Sequence, residues 1–313
     1  MLTTLARKLG GMITVMFLVA TMVFFLTRLA PGDPAALMLG DQATQADIEQ
    51  LRKTYGLDQP LLVQYGLWLK EVIAGNLGQS IFLQRPVLTA IGERAEPTFF
   101  LALFSILIAS LIGIPAGIIS AVWRGGRSDQ AVSAGAMLAA SIPSFWLGLL
   151  FIQFFSVTLG WFPVAGYGDP GAPLAQRLYH LILPATVLGI VNSALITRFT
   201  RASMLDVLSE DFVRTARAKG LSESRIVLRH ALGNALVPII TVVGLTAALL
   251  VGGAIITETV FGLPGIGNLV VSAVLRRDYP VIQGALIVIA GIYVMINFAI
   301  DVIYTLVDPR VKT

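Results

Sequence analysis

The chain has 313 residues, 56% of them hydrophobic and only 13% charged, with a mean hydropathy of +0.82. Charge at about half the usual soluble level, together with apolar runs of roughly 20 residues, excludes a soluble globular protein and assigns an integral membrane protein. The chain has no cysteines and only two distant histidines, His180 and His230; this excludes disulfides, thiolate catalysis and a Cys- or His-rich metal site, and the net charge of +4 reflects loop charge rather than nucleic-acid binding.

In chain order, Arg7 and Lys8 precede an apolar run from Leu9 to Leu26. The run is longer than a signal-peptide core and no A-x-A site follows it, so it is read as an uncleaved first span over about 9–29. Segment 30–97 is too polar to span. Its PGDP at 31–34 predicts a turn and helix start, with Asp33 as cap and Pro34 in the first turn. A helix is expected from about Gln45 to Tyr55. Another follows, with Leu61, Tyr65, Trp68 and Val72 on one face at spacings of 4, 3 and 4. A small outer subdomain between spans one and two is the expected result. Five further spans are predicted at about 98–122, 131–159 (carrying Pro143), 181–200 (carrying Pro184), 236–257 and 281–307. Backbone groups in a bilayer must pair internally, so the spans are helices and the fold is all-α with six transmembrane helices. Trp123, Trp161 and Tyr179 fall near span ends, whereas Trp146 falls mid-span and reads as a packing residue.

Lys and Arg set the orientation. With both termini inside, the inner segments carry thirteen basic residues and the short outer loops carry Arg177, Arg276 and Arg277 only. Long segments translocate regardless of charge, so 30–97 does not weigh against the bias, and N-in, C-in is predicted.

Seven of the 22 Lys and Arg residues lie between Arg198 and Arg229. Within that loop Leu205, Leu208, Phe212 and Ala216 form a predicted helical stripe. Glu210 and Asp211 stand near a helix start, where the helix dipole favours anions. Lys219 followed by Gly220 reads as a helix stop, and Ser222 as the cap of a second helix running toward Pro238. From the residues alone two readings stand: an amphipathic helix attracted to anionic lipid, or a docking surface for a partner outside the membrane.

The stretch EDFVRTARAKGLSESRIVLRHALGNALVP resembles the "EAA" loop of ABC-importer permeases, with Ala216 and Ala218 near the motif alanines and Gly220 as its glycine. Thr-Ala-Arg-Ala stands where a literal Glu-Ala-Ala is expected, a variant similar to that of the dipeptide/oligopeptide permease subfamily. LAPGDPAALMLG at 29–40, GLDQPLLVQY at 56–65, GNLGQS at 75–80, ETVFGLPGIGNL at 258–269 and DYPVIQG at 278–284 agree with that subfamily, so the resemblance covers nearly the whole chain. It implies a type I ABC importer permease fold in the bacterial inner membrane. The expected organisation is a first span over 1–30, an extracytoplasmic segment over 31–95, a core permease domain over 96–307 with its coupling loop at about 205–235, and a cytoplasmic tail over 308–313. It also implies a second permease, two ABC ATPases and an extracytoplasmic binding protein as partners. Glu210, Asp211, Phe212, Arg214, Ala216, Ala218, Lys219 and Gly220 would be the ATPase-coupling residues. The implied cargo is short peptides, with glutathione, nickel or another small solute as the alternative. No cofactor is expected on this chain. ATP and Mg would sit on the ATPases, because the chain has no G-x4-G-K-[ST] and no Gly-Lys pair at all.

Between the last two spans, Gly262, Pro264, Gly265 and Gly267 break regular helix, and Ile266 to Leu275 predicts a short apolar helix. Irregular backbone at this depth suits either a gate against a water-filled cavity or a packed turn. Glu258, Phe261, Pro264, Gly265 and Gly267, with Asn192, Asn297 and Asp301 inside spans, are the candidate pathway residues. Glu258 is expected at the interface, paired with an outer Arg, and the two asparagines are alternatively interhelical hydrogen bonds. No nucleophile–base pair, H-E-x-x-H or paired carboxylates point to an enzyme. No inverted repeat points to a secondary carrier.

Overall fold

The computed structural model describes residues 2–29, 44–54 and 56–307. The PGDP turn at 31–34 and the tail at 308–313 lie outside the described residues. Among the described residues the chain is nearly all-helical, with no strand and one isolated bridge between Gln79 and Pro86. In chain order the helices are α1 (Leu2–Leu29), α2 (Gln45–Thr54), α3 (Leu61–Ile73), α4 (Val87–Val122), α5 (Arg127–Ser141), α6 (Ser144–Phe151), α7 (Leu174–Tyr179), α8 (Ile182–Leu208), α9 (Asp211–Ala218), α10 (Leu232–Val260), α11 (Ile266–Arg276) and α12 (Tyr279–Val307). Wide π-helical turns at Ile152–Thr158 and Ile226–Ala231 extend α6 and lead into α10.

Among the described residues five stretches are long and apolar enough to cross a membrane: Arg7–Leu29, Val87–Val122, Ile182–Leu208, Glu223–Gly252 and Tyr279–Ile303. The expected third span at 131–159 is not one straight helix. Its halves, Arg127–Ser141 and Ser144–Thr158, meet at 96°. The residue before a proline is pushed out of helical geometry, and Ile142 before Pro143 is extended, at φ −83° and ψ 122°. The expected second span begins already at Val87, because Pro97 lies inside α4 at the cost of one ladder bond instead of starting the helix.

The chain divides into two compact units. The first comprises Met1–Glu96 and Gly265–Val294. Here Tyr65 and Trp68 of α3 pack on Phe24, with ring centroids 5.3 and 5.2 Å away, and the Tyr65 hydroxyl lies 2.7 Å from Thr21 Oγ1. The expected face of α3 is thus realised at Tyr65 and Trp68, while Leu61 stays exposed. A second cluster joins Val87 and Ile91 of α4 to Leu269 and Ala273 of α11 and to Val281 and Ala285 of α12.

The second unit comprises Pro97–Pro264 and Met295–Thr313. The long helix α8 is its centre and packs on α10, α5 and α6. One core cluster gathers Leu101, Leu188, Leu250 and Phe261, and another gathers Ala121, Met204, Val227 and Ile239. Helices α4 and α8 approach through glycines. A methyl group added at Gly113 would stand 2.8 Å from Ile196 Cβ, and one added at Gly117 would stand 2.6 Å from Thr200 Cβ. This is the small-residue approach that lets membrane helices gain packing where lipid offers no hydrophobic drive. Trp146, expected to pack, is about half exposed just beyond the 142–143 corner.

Candidate functional site

Helix α8 ends in a turn at Ser209 and Glu210, and α9 starts at Asp211. Glu210 occupies the cap position without a side-chain cap bond, and Asp211 sits in the first turn beside Arg214, 3.2 Å away. Only Val213 is buried in α9. Phe212, Arg214, Ala218 and Lys219 are exposed, and Ala216 is half-buried. The expected stripe is therefore corrected: Leu205 and Leu208 belong to α8 and join the cluster around Met204, while α9 inserts Val213 and turns Phe212 outward. The turn at 209–210 rotates one helix against the other, so a single 3.6-residue period does not run across it.

The stop of α9 is explicit. Gly220 has φ +76°, its N–H donates to Arg217 O at 2.9 Å, and Leu221 N–H donates to Ala216 O at 3.3 Å. These are the two bonds that close a helix end around a left-handed residue, a conformation glycine adopts without Cβ strain. Across this turn Arg217 grips Glu223 with bonds of 2.7 and 3.2 Å, and the carboxylate raises the Arg217 pKa. Ser222 precedes the next helical turn but makes no side-chain cap. Helix α9 packs on the π-helical segment Ile226–Ala231. The result is a short helix fixed at both ends, buried along one line and open on the rest.

The candidate pathway residues have varied settings. Glu258 is fully buried near the end of α10 and accepts a bond of 2.6 Å from Thr98 Oγ1. Phe261 is buried against Gly148, where an added Cβ would lie 3.1 Å from its ring, and its carbonyl accepts from Gly166 N–H at 2.9 Å. Gly262 ends α10 at φ +58°, and Leu263 N–H donates back to Glu258 O at 2.8 Å. Pro264 is half-buried. Gly265 precedes α11, and Gly267 lies on the buried face of that helix. Asn192 donates within α8, to Leu188 O at 2.8 Å, instead of to a neighbouring helix. Asn297 and Asp301 lie in α12 and are half-buried.

Two constellations escaped the sequence reading. In the second unit, Asp129 accepts from Arg201 Nε and Nη2 at 2.7 and 2.8 Å, from Ser120 Oγ at 2.5 Å and from Gly125 N–H at 2.9 Å. This ties α4, α5 and α8 together about two turns before the end of α8. In the first unit, buried Asp278 accepts from Ser80 Oγ at 2.5 Å and from the N–H groups of Ile81 and Phe82 at 3.2 and 3.1 Å. An aspartate two residues before Pro280 at a helix start was the available signal for Asp278. A charged pair inside apolar sequence was the signal for Asp129 and Arg201. Among the described residues no cluster of His, Asp or Glu side chains is placed to hold a metal ion.

Comparison with known proteins follows this geometry. Residues 113–313 match the family described as "Binding-protein-dependent transport system inner membrane component", and residues 1–99 match the N-terminal family of the same components. A "Probable peptide ABC transporter permease protein" of Sinorhizobium fredii is 44% identical over 306 residues, covering 98% of each chain. The "Glutathione transport system permease protein" of Escherichia coli K12 is 42% identical, covering 100% of this chain and 99% of that one. In fold, the chain is similar to one from the inward-facing MetNI methionine ABC transporter, with a TM-score of 0.60 at 21% identity over 70% of this chain and 96% of that one.

Proposed function

The chain belongs to the family of inner membrane components of binding-protein-dependent transport systems, and from that membership we propose that it is the permease subunit of an ATP-driven importer of short peptides. It supplies half of a translocation pathway and pairs with a second permease, two ABC ATPases and an extracytoplasmic binding protein. ATP and Mg are held by the ATPases. With both termini in the cytoplasm, α9 faces the ATPases, and Glu210, Asp211, Phe212, Arg214, Ala216, Ala218, Lys219 and Gly220 form the coupling surface. Closure of the ATPases moves α9. Val213 and the 226–231 segment pass that movement to α8 and α10. Glu258, Phe261 and the 264–267 turn form the outer wall of the pathway, with Asn192, Asn297 and Asp301 facing it.

The observation that carries this reading is α9 itself: an eight-residue helix with one buried side chain, an exposed phenylalanine and a glycine-closed end. Purification from the native membrane in mild detergent tests it. Co-purification of a second permease and P-loop ATPases is the expected result, and a homo-oligomer without ATPase overturns it. The glutathione permease relative favours glutathione as the second reading. Uptake of defined dipeptides, oligopeptides, glutathione and nickel by vesicles carrying the whole assembly separates the cargoes.

A further inference from the structure

We propose that the first unit holds one phospholipid with a donor-bearing headgroup, seated where α1 leaves the membrane. Two cavities there share Thr27 and Tyr279 as walls. One, of about 380 Å³, has a largely apolar wall into which the polar groups of Arg28, Lys70, Glu71 and Gln64 are set beside Trp68. The other, of about 400 Å³, is an apolar groove between Val23 and Leu26 of α1 and Ile282 and Leu286 of α12, with Arg277 at its edge.

The groups fit a lipid part by part. Arg28 stands in the last turn of α1, where an apolar span meets water, and its guanidinium stacks 5.3 Å from the Phe24 centroid. Neither it, Lys70 nor Arg277 forms an ion pair among the described residues. Three cations against the carboxylate of Glu71, the one acidic group among the described lining residues, call for an anion, and a phosphate meets cationic side chains with strong charge-assisted bonds. The Gln64 amide is held by its own donors, to Leu57 O at 3.1 Å and Gln59 O at 2.8 Å, which leaves its buried Oε1 without a hydrogen-bond donor. A buried acceptor beside a cavity of this size wants a donor, and Glu71, whose Oε2 already accepts from Asn76 Nδ2 at 2.8 Å, adds further acceptor capacity. A phosphate carrying ammonium or hydroxyl groups satisfies both sides. The apolar groove runs from the shared wall back along α1, one to two turns deeper into the span, as an acyl chain does. Trp68 lines the same cavity with an amphipathic ring of the kind that suits a membrane boundary.

Native mass spectrometry of the full chain in detergent, exchanged against phosphatidylglycerol, phosphatidylethanolamine or phosphatidylcholine, tests this. One retained phosphatidylglycerol or phosphatidylethanolamine per chain is expected, with occupancy falling about tenfold for R28Q/K70Q. Phosphatidylcholine, whose headgroup has no N–H or O–H, is expected to be lost readily. Thermal unfolding with added lipid covers the event that the double variant is poorly folded: Leu286→Trp, which fills the groove and leaves the cations, is expected to abolish the rise in Tm that the lipid gives the unaltered chain. Equal retention of phosphatidylcholine, full retention by both variants, or equal protection by soluble glycerol phosphate overturns the proposal, the last by showing a free-anion site.

Discussion

Arg201 and Asp129, 72 residues apart, meet through two parallel hydrogen bonds of 2.7 and 2.8 Å, and Ser120 completes the contact from a third helix. Removal of one partner leaves the other charge without its counter-ion, which is more damaging than removal of both. Asp129→Ala is expected to lower the Tm of the purified chain clearly, and the Asp129→Ala, Arg201→Ala double variant to recover part of the loss. A double-mutant cycle on thermal unfolding reads the coupling, and strict additivity of the two losses refutes it.

The glycine approach of α4 to α8 leaves no room for a side chain. Gly117→Leu is expected to cost about 1–3 kcal/mol through overpacking against Thr200 and the Thr197 carbonyl. Gly135→Ala, where nothing lies within 4 Å, serves as the comparison and is expected to change stability by no more than about 0.5 kcal/mol. Equal thermal shifts for the two would contradict the seam.

At Gly220 the surroundings are open, so the constraint is the backbone alone. Gly220→Val forces a branched residue into φ +76° at a cost of about 1–2 kcal/mol. The variant is expected to insert normally but to hydrolyse ATP in the assembled transporter without matching uptake. Gly75→Val carries the same strain at the end of α3, at φ +84°, and is expected to leave the ratio of uptake to hydrolysis unchanged.

Phe212 and Val213 are neighbours with opposite duties. Phe212→Ala is expected to leave Tm unchanged and to weaken ATPase association about tenfold, as loss of an aromatic interface anchor does. Val213→Ala is expected to cost about 2 kcal/mol of folding stability by emptying a buried site. Detergent pull-down of the ATPases and thermal unfolding, run on both variants, separate the two effects. A Phe212→Ala chain that still retains the ATPases fully would remove Phe212 from the coupling surface.

Asp278 is the centre of the turn between α11 and α12, where Arg277 adopts a left-handed φ of 56°. Asp278→Ala removes four bonds to a buried carboxylate and is expected to destabilise the first unit by about 2–4 kcal/mol. Limited proteolysis is expected to open the 80–86 turn in the variant first.

Apolar run length made five of the spans legible, periodicity found α3, and the Gly and Pro breaks before an apolar run located α11 to within a residue. What composition does not encode is direction. The 131–159 run is apolar from end to end, yet Pro143 turns it through a right angle, because a backbone restraint outweighs hydropathy there. Pro97 does the reverse and is absorbed within α4. In the candidate site, Gly220 was readable because a left-handed helix end is a local event with a local signature. The outward turn of Phe212 was not, since it depends on how the 209–210 turn rotates α9 onto the 226–231 segment. Partners such as Asp278 and Ser80, 198 residues apart, leave no periodic trace in a single sequence.

The corner at Ile142–Pro143 also bears on how the chain enters the membrane. The bend interrupts the helical ladder: Ile142 N–H donates back to Leu138 O at 3.2 Å and Leu147 N–H to Pro143 O at 3.1 Å, while the first turn of α6 has no side-chain cap for its backbone groups. Lipid cannot solvate such groups, at several kcal/mol each, and Pro143 is left uncovered by the rest of this chain. A corner of this kind is stable against protein or a water-filled space rather than against lipid, so residues 127–158 are expected to integrate together with their neighbours and not as a freestanding hairpin.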